Sequence, residues 1–250
     1  MSSLPNALWL NVSPALQQFD RPLKIHLSHH VAIAQWEYCQ TPDEPMSLEV
    51  AIDLLDDYVK NQNRLVDLIG HSTSGLLGLL YAHKHPEKVR SLTLLSVGPY
   101  PGVDWQAHYY AQLQKLPCSR EVLLNQMVNN LFGHQSPGVI RDILQILEQD
   151  LMTSLSPHTL FRRVSFSPSK VSVPMLVCGS ADDIIVDPYT LEGWQSWLKT
   201  GDRIWQCPKG RYFFHYFHPQ KVCEQIVDFW DLPSLSQDRN ASFVNLKVSL

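Results

Sequence analysis

The stretch from Leu65 to Gly75, LVDLIGHSTSG, holds the residue types and spacing best suited to covalent chemistry. An apolar run from Leu65 to Ile69 enters Gly70-His71-Ser72-Thr73-Ser74-Gly75, and a helix-like run from Leu76 to Lys84 follows at once. Strand, sharp turn and helix with Ser72 at the apex form the context of a nucleophile elbow, which lifts a hydroxyl above the C-terminal edge of a sheet. The same turn aims the helix N-terminus, with its unpaired N–H groups, at whatever the serine attacks. The plainer reading is a serine that only N-caps a helix; the apolar strand in front of it favours the elbow. Ser74 stands two places after the nucleophile, where the motif usually has a second glycine, and Gly75 follows it.

A serine is a weak nucleophile at neutral pH, so Ser72 needs a base, an acid to orient that base, and donors for an oxyanion. Pro174 to Val186, PMLVCGSADDIIV, reads as a strand ending at Gly179 with two acids beyond it. A carboxylate at the C-terminal end of a strand faces the same sheet edge as the elbow. Asp182 is the first candidate and Asp183 the second. Capping of a helix near Pro188 is the alternative role for both.

The elements that must position these groups alternate. Ala7–Asn11 reads as a strand, Pro14–His29 as a helix, Val31–Trp36 as a strand, and 46–60 as an amphipathic helix with Leu48, Ile52, Leu55 and Val59 at helical spacing. Strands at Val89–Val97, Val173–Cys178 and Arg203–Gln206 complete the set. Such alternation predicts an α/β fold, a mostly parallel sheet with helices on both faces. From about Pro99 to Ser172 the pattern turns helical, with runs at Tyr109–Leu116, Glu121–Leu131 and Val139–Leu155 punctuated by Pro117, Pro137 and Pro157. The expected organisation is a core of residues 1–98 and 173–231, an inserted helical cap over 99–172, and a loosely held tail over 232–250.

Composition narrows the function classes. A chain of 250 residues that is 44% hydrophobic, with a formal charge of -4, suits one large domain with a single sizeable core. There is no basic block or stripe, which argues against nucleic acid or an anionic membrane as partner. No apolar run reaches the ~18 residues of a transmembrane helix, and the first residues lack the pattern of a signal peptide. Five scattered cysteines form no Cys-x-x-Cys pair and read as free thiols of a cytoplasmic protein. His29-His30 and His83/His85 have no carboxylate-rich neighbours, so neither a metal nor another cofactor is expected.

Taken together, elbow serine, helical insertion, acid after a late strand, and a final strand and helix make the chain from Ala7 to Trp230 resemble the α/β-hydrolase superfamily. The resemblance implies Ser72 as nucleophile and Asp182 as triad acid. It also implies an oxyanion hole from the backbone N–H groups of Val12 and Thr73, although many members have His-Gly where this chain has Asn11-Val12. In the family the catalytic histidine follows the last strand. Here that segment reads KGRYFFHYFHPQ from Lys209 to Gln220, and counting back from Pro219 puts the histidine position on Tyr212, while counting forward from Gly210 puts it on Arg211. The nearest imidazoles are His215 and His218.

Two functions follow from the resemblance. One is a serine hydrolase acting on a carboxylic ester or thioester with an apolar moiety, using Ser72, His215 and Asp182, with Trp105, Tyr109, Tyr110, Leu131 and Phe132 lining a hydrophobic pocket for a small ester-like substrate. The other is a catalytically impaired member serving as a binding or regulatory module, because Tyr212 replaces the base.

Overall fold

In the computed structural model, the described residues are 7–39, 47–62, 64–99, 103–157 and 171–231. The expected tail at 232–250 lies outside them, as does part of the expected cap. Six strands form one sheet: β1 Ala7–Asn11, β2 Ile33–Glu37, β3 Val66–His71, β4 Val89–Leu95, β5 Met175–Ser180 and β6 Arg203–Cys207, in the order β2-β1-β3-β4-β5-β6. Every pairing is parallel. The strands β1, β3, β4 and β5 are buried along their full length, which is why they read as apolar runs rather than as alternating ones.

Helices cover both faces. On one side lie α2 Leu48–Val59, α3 Thr73–Lys84 and α7 Pro188–Glu192, whose Leu55, Leu77 and Leu191 share a core with Leu8, Leu68 and Leu92. On the other lie α1 Gln17–Ser28, α8 Phe214–Phe217 and α9 Pro219–Trp230, packing Leu23, Leu27, Phe214, Ile226 and Phe229 against Trp9, Ile69 and Leu176. The helix expected over Pro14–His29 begins instead as a 3-10 turn, Pro14–Leu16, with α1 following at Gln17. Proline favours that first-turn position because it has no N–H to leave unpaired.

Between β4 and β5, among the described residues, three helices follow one another: α4 Trp105–Lys115, α5 Arg120–Phe132 and α6 Pro137–Thr153. Asp104 and Ser119 cap the first two by accepting from the amides of Ala107 and Val122. Gly133, at φ 74, closes α5 in a conformation that few other residues adopt without strain. These helices bury Trp105, Tyr109, Leu131 and Phe132 in a core of their own, shared with Leu16, Phe19, Tyr212 and Phe213. That core locks the helical insertion onto the loop after β6.

At the opposite end of the strands from the elbow, Asp67 and Arg90 form a buried ion pair, with Arg90 Nε donating to Asp67 Oδ1 at 2.8 Å and the Ser91 hydroxyl donating to the same oxygen at 2.6 Å. The strand order reverses between β1 and β3. In open α/β sheets the crevice beyond the C-terminal ends of two such strands is where ligands bind.

Candidate active site

The loop that leaves β3 in that crevice is the elbow. Ser72 sits at φ 53 and ψ -127, left-handed for an L-residue, between strand β3 and helix α3. Its amide donates to Leu95 O at 2.8 Å, pinning the turn to β4. The turn is tight enough that Gly70 and Gly75 touch: a Cβ on Gly75 would lie 2.7 Å from Gly70 O, and one on Gly70 would lie 2.5 Å from Gly75 N. Glycine is therefore needed at 70 and 75 rather than at 74. Ser74 uses its side chain instead, accepting the Val12 amide at 3.0 Å. The Val12 N–H, expected to face an oxyanion, is engaged there. Thr73 N–H opens α3 among the first-turn amides that receive no helical carbonyl.

The Ser72 hydroxyl meets Tyr212, not an imidazole: the Tyr212 phenol donates to Ser72 Oγ. Tyr212 is fully buried in the 3-10 turn Arg211–Phe213 after β6. Burial pushes its phenol well above the ordinary value of 10.0, and the negative charges of Asp104 and Asp183 push the same way, against the Ser72 bond. The backbone here is firmly held. Tyr212 O accepts from the Ser96 hydroxyl at 3.0 Å and lies 2.9 Å from His71 Nε2. Arg211, at φ 52, reaches back to the end of α5 and donates to Asn129 O at 2.9 Å.

Of the two candidate acids, Asp182 accepts from the Arg211 amide at 2.8 Å and from the Ser180 hydroxyl at 2.7 Å. Burial raises its carboxyl, but those two bonds and the Arg211 charge outweigh it and leave the group below its ordinary value. Asp183 turns inward, accepting from the amides of Ile185 and Val186 and from Ser96, and burial lifts it to about 7. Asp182 is thus one residue from Tyr212, through Arg211, and Asp183 reaches the Tyr212 carbonyl's partner Ser96.

His215 is placed elsewhere. It is fully buried in α8, with Nε2 3.0 Å from Asp20 Oδ1 and its ring centroid 4.5 Å from that of His71. Asp20 Oδ2 accepts from Trp9 Nε1 at 3.0 Å. Burial, and then the neighbouring His215, lower His71 to about 3, so its imidazole is neutral at physiological pH. Asp20, His71 and His215 each bring one donor atom within 4.8 Å of the others. The structure therefore brings Ser72 to Tyr212, Asp182 to Arg211, and His215 to Asp20.

Beside Ser72 is a cavity of about 10 Å³, room for roughly one water. Its lining is mostly polar, including Asn11, Asp20, Thr73, Asp104, Gln106 and Asp150. Thr73 Oγ1 donates to Asp104 Oδ2 at 3.0 Å, tying the elbow to the cap of α4. Burial lifts Asp150 to about 6, against the bonds it accepts from Ser154, Gln106 and Trp105. The Gln106 Oε1 atom has no partner among the described residues. Of the aromatic and aliphatic residues expected to line a substrate pocket, Trp105 borders this cavity, Tyr109, Leu131 and Phe132 are buried core, and Tyr110 is half-buried against them.

Asp20, His71 and Asp104 were not singled out in the sequence. Asp104, before the helical run that starts at Trp105, carries a legible N-cap signal. Asp20 and His71 carry none, since their partners are distant in the chain.

Comparison with known proteins agrees with this architecture. Residues 57–136 match the family described as alpha/beta hydrolase fold. The chain is 52% identical over 223 residues to Uncharacterized protein sll0249 of Synechocystis sp., covering 89% of each. It is 41% identical over 245 residues to Uncharacterized protein alr2406 of Nostoc sp., covering 98% of each. The naproxen esterase (carboxylesterase NP) of Bacillus subtilis shares the fold with a TM-score of 0.67 at 15% identity, over 92% of this chain and 85% of that one. The chain has the alpha/beta hydrolase fold and belongs to one family with these two cyanobacterial proteins.

Proposed function

We propose that this chain is a hydrolase-fold binding or regulatory module whose elbow serine is not activated for acyl transfer. The observation that carries this reading is the hydrogen bond from the Tyr212 phenol to Ser72 Oγ. A base must take the serine proton, and a phenol held above its ordinary value of 10.0 is protonated at neutral pH. Absence of a positioned base costs about two to four powers of ten in rate. Three further features support the reading: His215 faces Asp20, the Val12 amide is held by Ser74, and the cavity has space for about one water rather than an acyl chain. The lining includes the carboxylates of Asp20, Asp104 and Asp150, which suits a small species that donates hydrogen bonds. All five cysteines are free thiols, which supports placing the protein in the reducing cytoplasm.

A second reading has one observation in its favour. Ser72 is held at φ 53, a conformation costing about 1–3 kcal/mol that a merely capping serine would not need. In that reading the protein is a serine hydrolase of a carboxylic ester or thioester. Ser72 attacks, Asp182 orients the imidazole of His215, and Val12 and Thr73 amides receive the oxyanion. It requires Tyr212, His215 and Val12 all to leave their present partners.

A fluorophosphonate probe on the full-length protein distinguishes the two. The binding module is expected to leave Ser72 unlabelled. Labelling that disappears in Ser72→Ala overturns it in favour of the hydrolase.

A further inference from the structure

Beneath the elbow, two imidazoles and a carboxylate converge from three separate elements: Asp20 from α1, His71 from the end of β3, and His215 from α8. We propose that Asp20, His71 and His215 form a buried binding site for a divalent first-row transition-metal ion of the Zn²⁺ or Fe²⁺ class. The site is distinct from the Ser72–Tyr212 pair and rests on the binding-module reading, in which His215 stays with Asp20.

The donor set fits that class of ion. Two imidazoles and one carboxylate are ligands for zinc or ferrous iron, whereas magnesium and calcium prefer oxygen alone. One donor atom from each residue lies within 4.8 Å of the other two. The His215 Nε2 to Asp20 Oδ1 separation is 3.0 Å. Ligands roughly 2.1 Å from one ion and at right angles to each other lie about 3 Å apart. Loading requires the widest separation to close.

Two of the three ligands, His71 and Asp20, are already oriented by a partner outside the cluster, as metal ligands usually are. His71 Nε2 lies 2.9 Å from Tyr212 O. A carbonyl only accepts, so Nε2 carries the proton and Nδ1 keeps its lone pair. Asp20 Oδ2 is held by Trp9 Nε1, leaving Oδ1 for the cluster. His215 is the least satisfied of the three, because its buried Nδ1 has no hydrogen-bond partner among the described residues. Such a deficit is uncommon in a folded protein. The atom that faces Asp20 Oδ1 in the cluster is the other ring nitrogen, Nε2.

The cavity beside Ser72 gives room for a further ligand. Asp20 and His71 line the cavity beside Ser72, whose volume of about 10 Å³ suits one water. Asp104 and Asp150 line it as well, adding acidic groups.

Titration of chelator-treated, full-length protein with Co²⁺ tests the assignment. The expected result is one equivalent bound per chain, with visible absorption from nitrogen and oxygen ligation. Affinity is expected to fall at least about tenfold in His215→Ala and in Asp20→Asn, and to stay unchanged when the exposed His29 and His30 are replaced by alanine. No stoichiometric binding, or binding lost with His29 and His30 but kept in His215→Ala, overturns it. Should His215→Ala fail to fold, X-ray absorption on the Zn²⁺-loaded wild type decides. A shell of two imidazoles with oxygen supports the site; a shell with cysteine sulfur or fewer than two imidazoles overturns it.

Discussion

The hydroxyl of Tyr212 donates its hydrogen bond to the hydroxyl of Ser72, and the tyrosine ring is wholly buried as it does so. Its carbonyl is clamped at the same time by Ser96 and faces His71. Tyr212 is thus fixed at both its side chain and its backbone.

Replacing it with an imidazole should restore part of the missing chemistry. Tyr212→His is expected to raise hydrolysis of a short aryl ester at least about tenfold over wild type, given the worth of a positioned base. Asp182 is near enough to assist, since it holds the amide of the preceding residue. Ester turnover measured in Tyr212→His, Tyr212→Phe and the Ser72→Ala/Tyr212→His double variant checks this. The phenylalanine and double variants should remain at background.

Asp183 gives a pH signature. Burial raises its carboxyl from the ordinary 3.8 to about 7 in the folded protein, so the native state holds a proton that the unfolded chain releases within that window. The resulting stabilisation is complete below the unfolded value and disappears as pH rises through the folded one. Asp150, lifted to about 6, acts in the same direction. Denaturation midpoints measured from about pH 4 to about pH 7 should therefore show a weaker decline in Asp183→Asn than in wild type. Equal slopes would count against this role.

The Asp67–Arg90 pair predicts a stability effect remote from the elbow. Both side chains are almost completely buried. Arg90→Met leaves the carboxylate without its main partner, and breaking a buried pair in this way costs about 3–5 kcal/mol. At roughly 2–4 °C per kcal/mol for a chain of this size, the melting temperature should drop by roughly 10 °C. The double variant Asp67→Leu/Arg90→Met should regain much of that loss, because an apolar pair leaves no stranded charge. Thermal melts of the three proteins provide the comparison.

Two glycines make a contrasting pair. Gly75→Ala would drive a methyl to 2.7 Å from Gly70 O and 2.6 Å from Val97 Cγ2, so the elbow cannot keep its shape. Gly138 lies within α6 with nothing within 4 Å of an added Cβ. Gly138→Ala should stabilise by about 0.5–1 kcal/mol, while Gly75→Ala should reduce the yield of folded protein. Circular dichroism and chemical denaturation separate the two outcomes.

The sheet was legible because burial on both faces leaves apolar runs with turn residues between them. Leu92, Leu94 and Leu95, for example, mark β4 without any tertiary information. The elbow was legible because its glycines and serine are contiguous. The pairing of side chains was not. Nothing in the sequence sends His215 to Asp20, at a separation of 195 residues, rather than to Ser72. Nor does it show that Ser74 would take the Val12 amide, since that bond depends on how β1 and α3 meet. The aromatic residues of the helical insertion were open to two readings at the same spacing, and only packing against Phe19 and Phe213 places them in a core.

Among the described residues, three that are not glycine adopt left-handed backbone, Ser72, Ser96 and Arg211, following β3, β4 and β6 respectively. Each such residue costs about 1–3 kcal/mol, so one rim of the sheet works as a loaded spring held shut by the strands beneath it. Loosening the distant core should therefore be felt first at this rim, where amide exchange would speed up before the rest of the molecule yields.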